Sequence, residues 1–244
     1  MCLALQAGMA RAVERYEGIA TTPDSAVAYR ETHWLYSEGG LGRRLVLYRC
    51  ADGTPFARKR LTEFPSAAAP DFEFYDAGID YREGVKGAGG QRMVFAQGPG
   101  ESTLRQRALV LGADDVVDAG FDAYIRAHWD AITPLQPLPA AIVVPGRLET
   151  VPVLITETAN SDPGTRHFVM RLDTWYRFVV PSITLDYERG SRRLLAFRGI
   201  GTVRDSRGRN LSVRIRFPPE QSESADLEEV RAAEQAPLST ACHP

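Results

Sequence analysis

Gly120-Phe121-Asp122-Ala123-Tyr124-Ile125-Arg126-Ala127-His128-Trp129 is the single strong helical pattern in a chain otherwise made of strand-like runs broken by Gly, Pro and Asp. Phe121, Tyr124, Ile125, His128, Trp129 and Ile132 recur at the three-and-four spacing that lines one face of a helix with apolar groups. Asp118 stands where an N-cap would stand, and Pro134 where the helix must stop. One helix among many strands predicts a mainly β (α+β) fold. The expected form is a large curled antiparallel sheet, or unclosed β-barrel, covered or plugged by one principal amphipathic helix.

The segments on either side support this. Ahead of the helix, 13–20 and 27–36 read as strands around the turn Thr21-Thr22-Pro23-Asp24-Ser25. A third run, 43–50, turns at the Asp-Gly signal of Ala51-Asp52-Gly53-Thr54 and returns through 56–61. A hairpin over 71–85 turns near Asp76-Ala77-Gly78; strands at 91–97 and 103–111 follow a Gly-rich loop. After the helix, 137–144 and 151–158 flank Pro145-Gly146-Arg147, and 167–172 forms another run. The last strands alternate cleanly: Ile183, Leu185 and Tyr187 oppose Thr184, Asp186 and Glu188. Leu211, Val213, Ile215 and Phe217 likewise oppose Ser212, Arg214 and Arg216, the pattern of a sheet buried on one face and wet on the other. Roughly a dozen strands joined by short turns must run antiparallel, and a sheet of that width curls, splits or closes.

No Pro/Ser linker or internal repeat divides the chain, so 13–219 is expected to be a single β-rich domain. After Pro218-Pro219 the sequence turns acidic and poor in aromatics, which predicts a disordered or weakly helical tail over 220–244. Residues 1–12 are small and apolar and end in Ala10-Arg11-Ala12, as the late part of a secretory signal does. A signal-peptide remnant implies a periplasmic or otherwise exported protein. An ordinary N-terminal stretch, with a cytoplasmic location, is the alternative. No apolar run approaches the ~20 residues of a membrane-spanning helix.

Charge and motifs narrow the function classes. A net charge of −2 gives no overall field to recruit nucleic acid or acidic membranes. Lys59 and Lys86 are the only lysines, the other basic residues being Arg. This marks a GC-rich genome first, with Arg-lined recognition of carboxylate or phosphate as the alternative. Cys2, Cys50 and Cys242 are odd in number and widely spaced, so neither a disulfide framework nor a metal site follows, and Cys50 is expected as a buried, inert thiol. Asp114-Asp115-Val116-Val117-Asp118 matches a diphosphate-binding pattern of helical bundles. Among strands it reads instead as a charged turn and cap. Gly39-Gly40-x-Gly42 and Gly87-x-Gly89-Gly90 lack the strand-before, helix-after setting of a phosphate loop. His33, His128, His167 and His243 show no paired-ligand spacing. Glu31 and His33 share a strand face, where an acid/base pair competes with a simple hydrogen-bonded pair. No catalytic residue, metal ligand or cofactor is assigned. The candidate ligand-binding residues are Phe121, Tyr124, Ile125 and Trp129, the apolar face of the helix turned toward the sheet.

The helix Gly120-Phe121-Asp122-Ala123-Tyr124-Ile125-Arg126, the long meander and the late hairpin Tyr187-Glu188-Arg189-Gly190-Ser191-Arg192-Arg193-Leu194-Leu195-Ala196-Phe197 carry a resemblance. The layout resembles uncharacterised exported bacterial proteins and is similar to the unclosed β-barrel of lipoprotein carriers such as LolA and LolB. That resemblance implies a concave sheet lined with apolar side chains, shielded by helix and able to hold acyl chains. The expected function is a non-enzymatic, exported binding protein for a lipid or other hydrophobic ligand. The alternatives are a structural module with a self-filled core that contacts another envelope protein, and an enzyme with a dispersed site drawn from Glu31, His33, Asp122 and His128.

Overall fold

The computed structural model describes residues 13–24, 26–87, 91–159, 162–174 and 181–242. The expected signal remnant at 1–12, along with Trp175 and His243, lies outside them. The first meander runs β1 (Val13–Thr21), β2 (Val27–Glu38), β3 (Leu41–Arg49), β4 (Pro55–Pro65), β5 (Pro70–Asp76), β6 (Tyr81–Lys86), β7 (Arg92–Gln97) and β8 (Arg105–Leu109). A short strand, β9 (Asp115–Val117), leads into helix α1 (Gly120–Ala127). The second meander is β10 (Leu138–Val144), β11 (Glu149–Thr158), β12 (Thr165–Leu172), β13 (Ile183–Glu188), β14 (Leu194–Arg204) and β15 (Asn210–Arg216). The short strand β16 (Glu223–Ala225) and helix α2 (Leu227–Gln235) follow.

All sixteen strands form one open sheet ordered β8-β7-β6-β5-β4-β3-β2-β1-β15-β14-β13-β12-β11-β10-β9, with β16 beside β1. Neighbours are antiparallel except β9 and β10. The first meander grows outward from β1 and the second returns to it, so β1 and β15 meet at the centre. The two free edges, β8 and β9, are consecutive in sequence. The sheet curls until its halves face each other. The β9 amide of Val117 donates to Ala68 O, in the β4–β5 loop, at 3.0 Å. The 3-10 turn Pro145–Arg147 also reaches β6 and β7.

Period-two alternation gives this sheet two distinct faces. On the inner face, Tyr29, Val46, Tyr48, Phe72, Phe74, Val85 and Ile215 share one core cluster. On the outer face, Trp34, Leu45 and Leu47 pack under Val230 and Ala233 of α2. The helix α1 lies inside the curl, where Tyr124, Ile125 and Trp129 join Ile155, Phe168, Leu185 and Tyr187 of the second meander.

The helix differs from its expected limits at both ends. Asp118 does not cap it. Its side chain pairs with Lys59, and Ala119 occupies the cap position without a side-chain bond. At the other end the α-helix stops at Ala127 although the apolar pattern runs to Ile132. The guanidinium of Arg166 takes the carbonyls of Trp129 and Ile132, each at 2.6 Å. Arg166 thus supplies donors to two carbonyls of the non-helical stretch that follows α1.

Gly120 seats α1 against the β4–β5 loop: a Cβ there would stand 2.0 Å from Ala68 O. Gly120→Ala is therefore expected to lose about 1–3 kcal/mol in urea unfolding despite the better helix propensity of Ala. Gly190→Ala, in a turn with no atom within 4 Å of the added carbon, is the neutral control. Equal stability of the two variants would refute this seating.

Two expectations about the C-terminal end need correction. Of the tail expected as disordered or weakly helical, residues 220–242 are ordered rather than disordered: β16 pairs with β1, and α2 supplies the helix, with Asp226 as N-cap accepting from Glu229 N at 2.9 Å. Trp34 Nε1 donates to Glu229 Oε1 at 2.9 Å, and Arg58 donates to Ala233 O at 3.0 Å. The outer face of β1–β3 carries an apolar patch of Val13, Trp34, Leu45 and Leu47, and α2 covers it. Cys50, moreover, is no free thiol but is disulfide-bonded to Cys242. The partners are 192 residues apart in sequence and meet because Ser239 N bonds Pro55 O at 2.8 Å, laying the C-terminal segment along the β3–β4 turn.

Candidate ligand-binding cavity

The curl and α1 enclose a hollow of about 790 Å³, within the usual size range of small-molecule sites. Its wall is predominantly apolar, with Leu35, Val46, Leu61, Phe72, Ile142, Val153, Met170, Ile183, Phe197 and Ile215 among the contributors. Glu14, Arg147, Arg171 and Pro181 are exposed and also line it, marking where it meets solvent.

The helix divides its duties. Phe121, with Asp122 and Arg126, faces the hollow. Tyr124, Ile125 and Trp129 are not in the lining. They are buried between α1 and the second meander, at 2%, 0% and 5% exposure. The Tyr124 hydroxyl has two acceptors for its single proton, Asp114 Oδ1 at 3.0 Å and Pro139 O at 2.9 Å; burial and that carboxylate push its pKa up to about 12. The Trp129 ring sits edge-on to Phe168 and Tyr187, with centroids 5.5 and 5.7 Å away.

A chain of charged groups crosses the apolar wall, carried on inward-pointing strand positions. Glu31 and His33 lie two apart on β2, their side chains 3.0 Å apart, and the His33 ring stacks on Tyr16 with centroids 4.5 Å apart. Burial pulls the His33 pKa down, against the opposing pull of Glu31. The inward registry continues from Tyr16 through His33 and Val46 to Lys59 on β4. Lys59 Nζ binds Asp118 Oδ1 at 2.6 Å and Thr202 Oγ1 at 3.1 Å, and lies over the Phe72 and Phe74 rings. Asp118 holds φ at 47°, in the left-handed region, and this directs its carboxylate to β4. Arg204 donates to Tyr81 Oη at 2.8 Å, and Tyr81 donates to Glu83. Burial pushes Glu83 up, opposed by Tyr81 and Arg204. On the helix, Asp122 pairs with Arg126 at 2.7 Å and accepts from Tyr187 Oη at 3.1 Å.

Arg44 on β3 is the exception. It lines the hollow, yet no described side chain or carbonyl forms a hydrogen bond or ion pair with its guanidinium. Burial disfavours its charge, but the fields of Tyr16, Asp122, Asp118 and Glu63 outweigh that and raise its pKa.

Glu31, His33 and Asp122 all face the hollow, whereas His128 turns away, its Nδ1 2.9 Å from Tyr124 O. His167 pairs with Asp186 across β12 and β13, outside the lining. Among the described residues, no group of three or more His, Cys, Asp or Glu is placed to hold a metal. The Asp-Asp-x-x-Asp run is already partnered: Asp114 with Tyr124, Asp115 with Gly112 N and Asp118 with Lys59.

Arg44, Lys59, Glu83 and Arg204 were not singled out from sequence as site residues. The available signal was parity: Arg44 shares a strand face with Val46 and Tyr48, Lys59 with Ala57 and Leu61, and Glu83 with Tyr81 and Val85. A charge on the buried face of an alternating strand marks either an internal pair or a binding group.

Fold and site together define an open antiparallel β scaffold around an internal, mostly apolar hollow crossed by paired charges. Comparison of the sequence with protein-family models and with curated proteins finds no match. No helix among the described residues is long and apolar enough to cross a membrane.

Proposed function

We propose that this chain is a non-enzymatic binding protein for a lipid or other hydrophobic ligand, working in the cell envelope. The supporting observation is the apolar hollow of about 790 Å³ between sheet and α1, a volume that a self-filled core would not leave. A ligand would gain about 0.8 kcal/mol for each methylene it buries there, before ordering costs. The Cys50–Cys242 disulfide supports an oxidising compartment and hence export.

The test is uptake of fatty-acyl probes by the purified protein, together with native mass spectrometry of what it carries from its host. Affinity is expected to rise with chain length until the hollow is filled. Phe121→Ala is expected to weaken uptake with little loss of stability, since Phe121 is a half-buried lining residue. Trp129→Ala is expected to cost about 3–5 kcal/mol of stability while its folded fraction still takes up probe. A ligand-free protein that takes up no acyl probe would refute the proposal.

A further inference from the structure

We infer that Arg44 is the anchor for an anionic oxygen headgroup, carboxylate or phosphate, of a single-chain amphiphile whose tail lies in the hollow. The inference rests on the hydrophobic-ligand reading above and adds the charge of the ligand to it.

The argument starts from the sheet registry. Along the inner face, Arg44 is flanked by Leu35 on β2 and Leu61 on β4, and beyond Leu61 by Phe72. The cation therefore stands in an apolar row. The acid of that row, Glu14, is two strands away, about 10 Å at ordinary strand spacing. The other acids of the wall already have partners: Asp118 has Lys59, Asp122 has Arg126, Glu31 has His33 and Glu83 has Tyr81. Lys59, the other cation that the first meander places in the lining, is consumed by Asp118 and Thr202. Arg44 alone among these groups keeps its donor fork open to the hollow.

The neighbouring acids stabilise the Arg44 charge through space, but its planar fork, which matches the two oxygens of a carboxylate or phosphate, makes no contact among the described residues. Tyr16 also lines the hollow and brings a hydroxyl to the same wall. The lining as a whole also favours an anion. Seven of its residues are Arg or Lys against five Asp or Glu. A neutral amphiphile would leave Arg44 as desolvated as before and gain nothing from it.

The test compares dodecanoate, dodecyl phosphate and dodecanol, which share one tail, on the wild type and on Arg44→Met and Arg44→Lys. Binding is read by displacement of a fluorescent acyl probe, and unfolding midpoints confirm that each variant is folded. The wild type is expected to bind at least one of the two anions about tenfold or more tighter than the alcohol. Which anion binds more tightly identifies the headgroup. Arg44→Met is expected to abolish that preference while leaving dodecanol affinity within about twofold, and Arg44→Lys to keep part of it. An unchanged preference in Arg44→Met, or no preference in the wild type, overturns the anchor while leaving hydrophobic binding intact. Failure of all three probes to bind the wild type overturns the hydrophobic reading itself, and the anchor with it. If Arg44→Met does not fold, Arg44→Lys decides: full retention of the carboxylate or phosphate preference with unchanged affinity argues against a fork.

Discussion

Arg166→Met is expected to destabilise the protein by about 3–5 kcal/mol, the cost typical of breaking a buried ion pair by removing one partner. Arg166 is 6% exposed and binds four acceptors. Its Nε and Nη2 reach the two oxygens of Glu157 at 2.9 and 2.8 Å, and Nη1 and Nη2 take the carbonyls of Trp129 and Ile132. Its guanidinium lies 4.6 Å from the Trp129 ring centroid and 4.8 Å from that of Phe168. Met would fill much of the volume but leave two buried carbonyls and one carboxylate without donors, so packing alone does not rescue it. Urea denaturation with an unchanged slope would report this loss. A midpoint shift worth less than about 1 kcal/mol would show that water replaces Arg166 freely. The same variant predicts a change in acid sensitivity. Hydrogen bonding to Arg166 holds Glu157 below its ordinary value of 4.5. A carboxylate depressed in the folded state adds stability that is fully present above its unfolded pKa and is lost as pH falls through the folded value. Wild-type stability should therefore drop below pH 4.5 more steeply than that of Arg166→Met.

Opening the Cys50–Cys242 disulfide is expected to lower stability by about 2–5 kcal/mol, near the upper end if unfolded-chain entropy dominates, because the loop it closes is very long. The bond joins the start of the β3–β4 turn to the end of the chain across a separation of 192 residues. Between them α2 covers Trp34, Leu45 and Leu47, held by Arg58, by Glu229 and by an ion pair between Arg60 and Glu234. Those contacts are local to the outer face and remain in the reduced protein. The expected result is a folded but less stable molecule with α2 exchanging its amide hydrogens faster. A Cys50→Ser/Cys242→Ser double variant should match the reduced wild type, and reductant should leave it unchanged. Equal stability with and without reductant would mean that α2 docking alone closes the chain end.

Much of the scaffold was legible from alternation and turn chemistry. The Asp52-Gly53 turn, the 145–147 connection and the inward sets Leu185/Tyr187 and Val213/Ile215 all follow from period two, and the structure has them where that period puts them. The helix was legible too, though its limits were not. Asp118 looked like a cap because Asp before an apolar run caps helices, but Lys59, remote in sequence, offered its carboxylate a stronger partner. The site was less legible. Phe121, Tyr124, Ile125 and Trp129 share one helical face by spacing, but a helix inside a curl meets protein on one side and space on the other. Only packing against Phe168, Leu185 and Tyr187 separates the three core residues from the one that lines the hollow.

The sequence by itself determined that alternating strands with short turns would build one wide antiparallel sheet, that such a sheet would curl, and that a single amphipathic helix would find an apolar face to bury. These are local consequences of side-chain period and backbone geometry. The tertiary structure alone decided which charges meet partners, which cysteines join, which outer face α2 shields, and that Arg44 faces the hollow without a counter-ion among the described residues. Those outcomes depend on groups brought together from far along the chain, as the two cysteines are across 192 residues, and no local pattern carries information about a neighbour that only folding supplies.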